Sequence, residues 1–376
     1  MNHAANRIQC GKRFPFEAWS GRNRGLDLES ATVSISFQPS AFIRREEPMP
    51  TPPTRCQRIT RRDVLRSGAA LAFTLGHVGS TVRGADAPLE PIRGRGTQPW
   101  PVSLNTSTIR GHKLPIEQTI TLAAQAGYAG IEPWPNEIQD YLDGGGTLAE
   151  LKLRLDDAGL KLTGAIAFFD WMSSDAERRA RAMADAERQM ERLAALGGTH
   201  IAAPPSGADA STDLLWAGEA YHALLELGDR TGVVPALEIW GFAPVCKRLG
   251  EAAMIALEAH HPDACILPDV FHLHKGGSDL GSVRKLGPAI LGGFHINDYS
   301  KEIPRAQISD RDRVYPGDGD APLVQLFRDL QAIGYTGPVS VELFNPAYYA
   351  RPVEEVLSTA LAKTRVLMHE ALGDRA

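Results

Sequence analysis

The amino-acid sequence predicts an α/β fold, a single-domain (β/α)8 TIM barrel, preceded by a signal or disordered N-terminal segment. Three observations carry this expectation. From residue 100 onward, a helix-like stretch ending in a turn is followed by a short apolar run, again and again. The runs do not alternate apolar and polar residues, the pattern of parallel strands covered on both faces. Acidic residues and one histidine recur at the ends of the later runs, where a barrel gathers its chemistry.

Taken in order, the first strand is expected over 101–106. Ala126-Gly127 leads into a strand over 128–132, Ala158-Gly159 into 160–167, and Leu196-Gly197 into 199–203. Thr231-Gly232 leads into 233–239, His261-Pro262 into 264–267, Leu286-Gly287 into 290–296, and Ile333-Gly334 into 339–343. Glycine is favoured just past a helix because it enters the left-handed region without a Cβ penalty. Between the runs, Thr147 with Glu150 and Ser174 with Glu177 fit capping boxes at helix starts. Met183, Ala186, Met190 and Leu193 recur at helical spacing and read as a core-facing stripe. A doubly wound open sheet is the alternative arrangement of the same units.

Composition narrows the function. The chain has 376 residues, 43% hydrophobic and 23% charged, enough to fill a large core. Its net charge of −5 and the lack of a Lys/Arg-rich run beyond the N-terminal region argue against a nucleic-acid surface. Cys10, Cys56, Cys246 and Cys265 show no CxxC spacing, which argues against a disulfide framework, a zinc knuckle or an iron–sulfur cluster. No run of 18 apolar residues exists, so no transmembrane helix and no stable membrane insertion is expected.

The N-terminal region reads as an address. Arg61-Arg62 precede a mildly apolar run from Ser67 to Gly79, and Ala85-Asp86-Ala87 offers a small-x-small cleavage site. The expected organisation is 1–48 as a disordered or over-extended start and 49–87 as a twin-arginine-type signal. A linker follows over 88–99, and the barrel over 100–374. Export to the periplasm or another extracytoplasmic space follows if that signal is used, and a cytoplasmic location if it is not.

The strand ends carry the chemistry. The end of strand five carries Glu238, that of strand six Asp269, that of strand seven His295 and that of strand eight Glu342. In a barrel these side chains share one mouth. Singly, each has a bland reading: a helix cap, a salt-bridge partner, a satisfied core histidine. Together they fall at one register of four consecutive units. Unpaired carboxylates beside an apolar core are costly, and a divalent cation removes that cost. Oxygen-rich ligation with one imidazole suits one ion of Mn²⁺, Mg²⁺, Co²⁺ or Zn²⁺. His200, His222, His260 and His261 lie on helices or ahead of strands and read as structural. Asn105, Glu132 and Trp134 follow strands one and two, and Phe168, Phe169 and Trp171 follow strand three. These are lesser pocket candidates, with rim packing as the plainer account.

From about Trp100 to the C-terminus the chain resembles the xylose isomerase-like barrel superfamily of sugar isomerases and epimerases. Within it, the likeness is greatest to inosose (2-keto-myo-inositol) isomerases. The residues that carry it are Ala236-Leu237-Glu238, Asp269-Val270-Phe271-His272-Leu273-His274 and Phe294-His295-Ile296-Asn297-Asp298. The tail is the most specific part: Asp312-Arg313-Val314-Tyr315-Pro316-Gly317-Asp318-Gly319 and Val339 to Tyr349. The resemblance implies that Glu238, Asp269, His295 and Glu342 hold the metal and that His272 and Arg313 touch substrate oxygens. The export signal departs from the family's familiar cytoplasmic members.

The expected activity is a metal-dependent isomerisation or epimerisation. A proton α to the carbonyl of a keto-sugar or inosose would move through a cis-enediolate, with Glu238 and Glu342 as the acid/base pair. A lyase or dehydratase using the same chemistry, and an exported sugar-binding barrel without catalysis, are the alternatives. An endonuclease on this barrel would need a basic face and further histidine ligands. The partner is a small molecule; a homo-oligomer is left open.

Overall fold

The structure is a computed structural model, and it describes residues 100–373. The start at 1–48, the signal at 49–87, the linker at 88–99, Cys10 and Cys56 lie outside the described residues.

Short parallel strands follow one another around a ring. β1 (Val102–Asn105) pairs with β2 (Gly130–Glu132) on one side and with β8 (Val339–Val341) on the other. β2 continues to β3 (Lys161–Leu162), and β8 pairs with β7 (Phe294–Ile296). β4 (His200–Ala203), β5 (Val234–Glu238) and β6 (Ile266–Leu267) make a second run. Single parallel bridges join the two runs, Ile166 to Ala202 at one seam and Asp269 to His295 at the other. The ring is therefore closed in sequence order. The open doubly wound sheet is excluded, because its first and last strands would not be neighbours, and here β1 and β8 are.

The helices are α1 (Ile116–Ala126), α2 (Pro135–Asp143), α3 (Leu148–Asp157), α4 (Ala176–Ala195), α5 (Leu214–Thr231) and α6 (Leu249–Glu258). They continue as α7 (Val270–Gly276), α8 (Leu323–Ala332), α9 (Pro346–Tyr349) and α10 (Val353–Leu372). Gly127 and Gly232 end α1 and α5 at φ of 92° and 76°, values that a side chain with a Cβ rarely adopts. Thr147 caps α3 as expected, its hydroxyl accepting from the Glu150 N–H while Glu150 accepts from the Thr147 N–H. The cap of α4 is Asp175 and not Ser174. Asp175 Oδ1 accepts from the Glu177 and Arg178 N–H groups, and a carboxylate suits the positive helix start better than a hydroxyl. Along α4, Ala182, Ala186, Met190 and Leu193 are buried, with Met183 at the edge of that face.

Several strands are shorter than their apolar runs. The run 160–167 pairs only at Lys161–Leu162 and again at the Ile166 bridge. In 290–296 the strand begins at Phe294, because Pro288 opens a turn that runs through Ile290. Inside the ring the packing is small and apolar, with Ile166, Ala202, Ala236, Cys265 and Leu267 in one cluster.

Candidate active site

Each site residue lies in or just past the C-terminal part of a strand. Glu238 ends β5, His295 lies within β7, Glu342 follows β8 directly, and Asp269 stands between β6 and α7. All four side chains are buried. His295 Nδ1 lies 3.3 Å from Glu342 Oε2, and 3.9 Å from both Glu238 Oε1 and Asp269 Oδ2. One donor atom each from Glu238, His295 and Glu342 fits within 4.8 Å of the others.

Asp269 is tied down more than the rest. Its Oδ1 caps α7 by accepting from the His272 N–H at 2.7 Å. Its Oδ2 accepts from Asn297 Nδ2 at 2.7 Å and from Arg313 Nη1 at 2.8 Å. Glu342 is also engaged on both oxygens, Oε1 by Asn105 Nδ2 at 3.1 Å and Oε2 by Arg313 Nη1 at 2.8 Å. Glu238 differs, because its Oε2 is buried without any hydrogen-bond partner. His295 likewise makes no directed hydrogen bond from either ring nitrogen, although Nε2 faces Glu132 Oε2 at 3.0 Å.

These surroundings separate the two glutamates electrically. Burial, with Glu342 and Asp269 nearby, pushes the Glu238 carboxyl above the usual range, against the pull of His295. Burial would also raise Glu342, yet His295 and Arg313 together hold it below that range. Burial disfavours a charged His295, but Glu132 and Glu342 carry its pKa well above the ordinary value. His272 goes the other way: burial and the adjacent Arg313 push it down to about 3. It is thus a neutral imidazole that accepts from Arg313 Nη2 at 3.1 Å through Nε2. Its proton sits on Nδ1, a buried donor with no partner.

The donor set fits a divalent cation. Four buried carboxylates, on Glu132, Glu238, Asp269 and Glu342, lie around one imidazole, and the Arg313 guanidinium pairs with only two of them, Asp269 and Glu342. The unpartnered Glu238 Oε2 and His295 Nδ1 are the kind of atoms that a buried site leaves open only at a cost. Three oxygens and one nitrogen suit a hard or borderline ion.

The structure brings together Glu238, Asp269, His295, Glu342, His272, Arg313, Asn105 and Glu132. Trp134 stands at the rim, stacked on Phe168 with centroids 5.9 Å apart, and Trp240 meets the edge of Phe168 at 5.4 Å. Phe169 is not beside it. It packs into the hydrophobic core at 3% exposure while Phe168 is 43% exposed, since neighbouring residues leave the chain in opposite directions there. Two residues escaped the sequence reading. Asn297 bridges the α7 backbone and Asp269, accepting from the Phe271 N–H at 2.9 Å; it stands two residues past His295 in a motif already singled out. Asp310 holds Arg313 Nη2 at 2.7 Å, and its only signal was its place three residues before that arginine. His261 lies near Asp229 and Asp263, away from this site among exposed residues.

Comparisons with known proteins agree with this architecture. The family profile of the xylose isomerase-like TIM barrel matches residues 120–365. Inosose isomerase of Halalkalibacterium halodurans is 35% identical over 139 residues, which cover 36% of this chain and 49% of that protein. Inosose isomerase of Bacillus subtilis is 33% identical over 143 residues, 38% of this chain and 51% of that protein. The chain thus spans about half the length of these curated relatives. A solved structure of the IOLI protein with a bound zinc atom superposes with a TM-score of 0.66 at 24% identity, over 72% of this chain and 99% of that one. That likeness speaks for the fold. With a profile match across most of the described barrel and a ring closed in sequence order, the chain belongs to the xylose isomerase-like TIM barrel family.

Proposed function

We propose that this protein is a metal-dependent isomerase or epimerase that moves a proton next to the carbonyl of a keto-sugar or inosose. The observation that carries the reading is the meeting of Glu238, His295 and Glu342 within reach of one ion, with Asp269 Oδ2 3.9 Å from His295 Nδ1 and with Glu238 Oε2 and His295 Nδ1 unpartnered. These four residues would hold the ion. When bound, a divalent cation supplies Lewis-acid stabilisation of negative charge developing on neighbouring substrate oxygens.

The remaining chemistry belongs to the chain. Glu238, with one oxygen free, is the residue able to take the proton from carbon and return it. Glu342, whose oxygens are occupied by Asn105 and Arg313, stays ionised and orients what binds beside it. His272 offers its Nδ1–H to the substrate oxygen that gains charge, and burial together with the adjacent Arg313 keeps that imidazole neutral. Trp134, Phe168 and Trp240 present flat apolar faces of the kind that pack on the C–H face of a sugar or cyclitol ring. The relatives named inosose isomerase support a cyclitol ketone as the first substrate to try. The signal read at 49–87 makes export of the folded, loaded chain part of the proposal.

The test is to load the protein with manganese or zinc and incubate it in D₂O with inososes, keto-sugars and ketoses. Deuterium entering the carbon beside the carbonyl, followed by NMR and abolished by EDTA, is the expected result. Substrate bound without exchange would mean a binding protein, and loss of water from the substrate would mean a dehydratase; either overturns the reading.

A further inference from the structure

We infer that Glu132 is a positioning residue for His295, holding Nε2 so that Nδ1 faces Glu238, Asp269 and Glu342 as a metal donor. This rests on the metal reading above and assigns a role to a residue that the sequence placed among substrate contacts.

The argument starts from imidazole chemistry. A neutral histidine carries one proton, and the nitrogen that binds a metal must be the bare one. The other nitrogen then needs an acceptor, which fixes both the tautomer and the plane of the ring. In His295 the three carboxylates that converge lie on the Nδ1 side, at 3.3, 3.9 and 3.9 Å. The Nε2 side meets Glu132 Oε2 at 3.0 Å, a close charge contact that lies off the line of a directed hydrogen bond. One carboxylate is thus set apart from the others, on the far side of the ring.

Glu132 is itself held in place. Asn105 stands opposite it in the β1–β2 pairing and donates from Nδ2 to the same Oε2 at 3.0 Å. Its other oxygen, Oε1, lies where it would come within 2.7 Å of a Cβ at position 164, which is a glycine. Glu132 and His295 also line a small space inside the ring with Thr163, Ala202, Ala236 and Ser340, with room for about one water. That space extends to the starts of strands, at His200, Gly292 and Pro338, and none of Trp134, Phe168 and Trp240 lines it. Glu132 is 6% exposed and His295 fully enclosed.

The experiment measures zinc affinity by competition with a chelator, with ¹⁵N-histidine NMR of the zinc-loaded protein as a second readout. Glu132→Leu removes the acceptor and should weaken zinc binding about 10–100-fold, with the ¹⁵N and N–H signals of His295 Nε2 moving away from those of a nitrogen that donates to a carboxylate. Glu132→Gln should recover most of that loss, because Asn105 turns the amide oxygen towards itself and His295. Gly164→Ala leaves both Glu132 and His295 in the sequence but presses on Glu132 Oε1, at a position without a left-handed backbone, and should give an intermediate loss. If Glu132→Leu proves unfolded, the Gln and Ala variants decide. Unchanged affinity in Glu132→Leu and Gly164→Ala, or a Glu132→Gln variant as weak as Glu132→Leu, overturns the positioning role while the metal reading stands. Absence of zinc binding by the unaltered protein overturns both.

Discussion

Arg313 Nη1 lies 2.8 Å from Glu342 Oε2, with both side chains closed off from solvent. The same nitrogen reaches Asp269 Oδ2 at 2.8 Å, so one guanidinium neutralises two of the four residues proposed as metal ligands. Arg313→Met should therefore cost the metal-free chain about 3–5 kcal/mol, the usual penalty for stranding buried charge. Saturating manganese should restore part of it, because the ion takes over the neutralisation. Arg313→Lys keeps the charge but cannot serve Asp269 and Glu342 with one nitrogen and Asp310 and His272 with another. Urea unfolding with EDTA and with manganese reads the difference. Equal losses in the two conditions would show that the arginine and the ion do not share the same carboxylates.

Glu238 and Glu342 should separate by kinetics. Glu238→Gln removes the one carboxylate with a free oxygen and should lower deuterium exchange by about 10²–10⁴-fold with the fold intact. Glu342→Gln should lower exchange too, but with a larger share of the loss recovered by raising the metal concentration, since its oxygens orient and bind. Circular dichroism controls for folding. Full exchange in Glu238→Gln would end its role as the proton carrier.

The ring and the convergence of Glu238, Asp269, His295 and Glu342 were legible because the chain repeats one unit, and register along that repeat becomes position around a barrel. What was not legible depends on which way a side chain leaves the backbone. Phe168 and Phe169 are equally aromatic, and only the fold shows that Phe168 faces the rim. Glu132 and Glu238 both end strands, yet one faces Nε2 of His295 and the other Nδ1. The choice of Asp175 over Ser174 as a cap hung on a single residue of offset between two good capping side chains. Asn297 and Asp310 act through partners 28 and 3 residues away, and no spacing rule links Asn297 to Asp269 before the strands are in place.

The described thiols give a pH signature. Burial pushes the Cys265 thiol up to about 12 and drives Cys246 higher than its ordinary value too. In the unfolded chain both ionise near pH 8.5. Above that pH the folded state holds protons that the unfolded state has released, so stability falls as pH rises, by up to about 1.4 kcal/mol per pH unit per thiol. The window for Cys265 runs from about 8.5 up to about 12. Urea midpoints between pH 8 and 9, where unfolded tyrosines are still mostly protonated, should show the decline, and Cys265→Ala should reduce its slope while Cys246 keeps the rest. An unchanged slope in that variant would mean the thiol is not protected in the fold.

The loop that delivers Arg313 is latched by Asp298. Its Oδ1 accepts from the Tyr299 N–H at 2.8 Å and the Ala321 N–H at 2.9 Å, while Oδ2 accepts from the Gly317 N–H at 3.0 Å. Its backbone also exchanges two hydrogen bonds with Val314, the residue after Arg313, at 3.1 and 3.0 Å. One fully buried carboxylate thus ties both ends of the segment from 299 to 321 to the end of β7, one residue beyond Asn297. Asp298→Ala strands these backbone donors at roughly 1–3 kcal/mol each when they stay buried. Part of that cost is relieved if the loop opens to water, so a net loss near about 3 kcal/mol is expected, together with new protease cleavage between 299 and 321. Deuterium exchange should fall with it, because Arg313 no longer reaches Asp269 and Glu342. Asp298→Asn, which keeps an acceptor oxygen for one side of the latch, should lie between. A variant that stays uncut and as stable as the unaltered chain would show that the Val314 pairing alone holds the arginine in place.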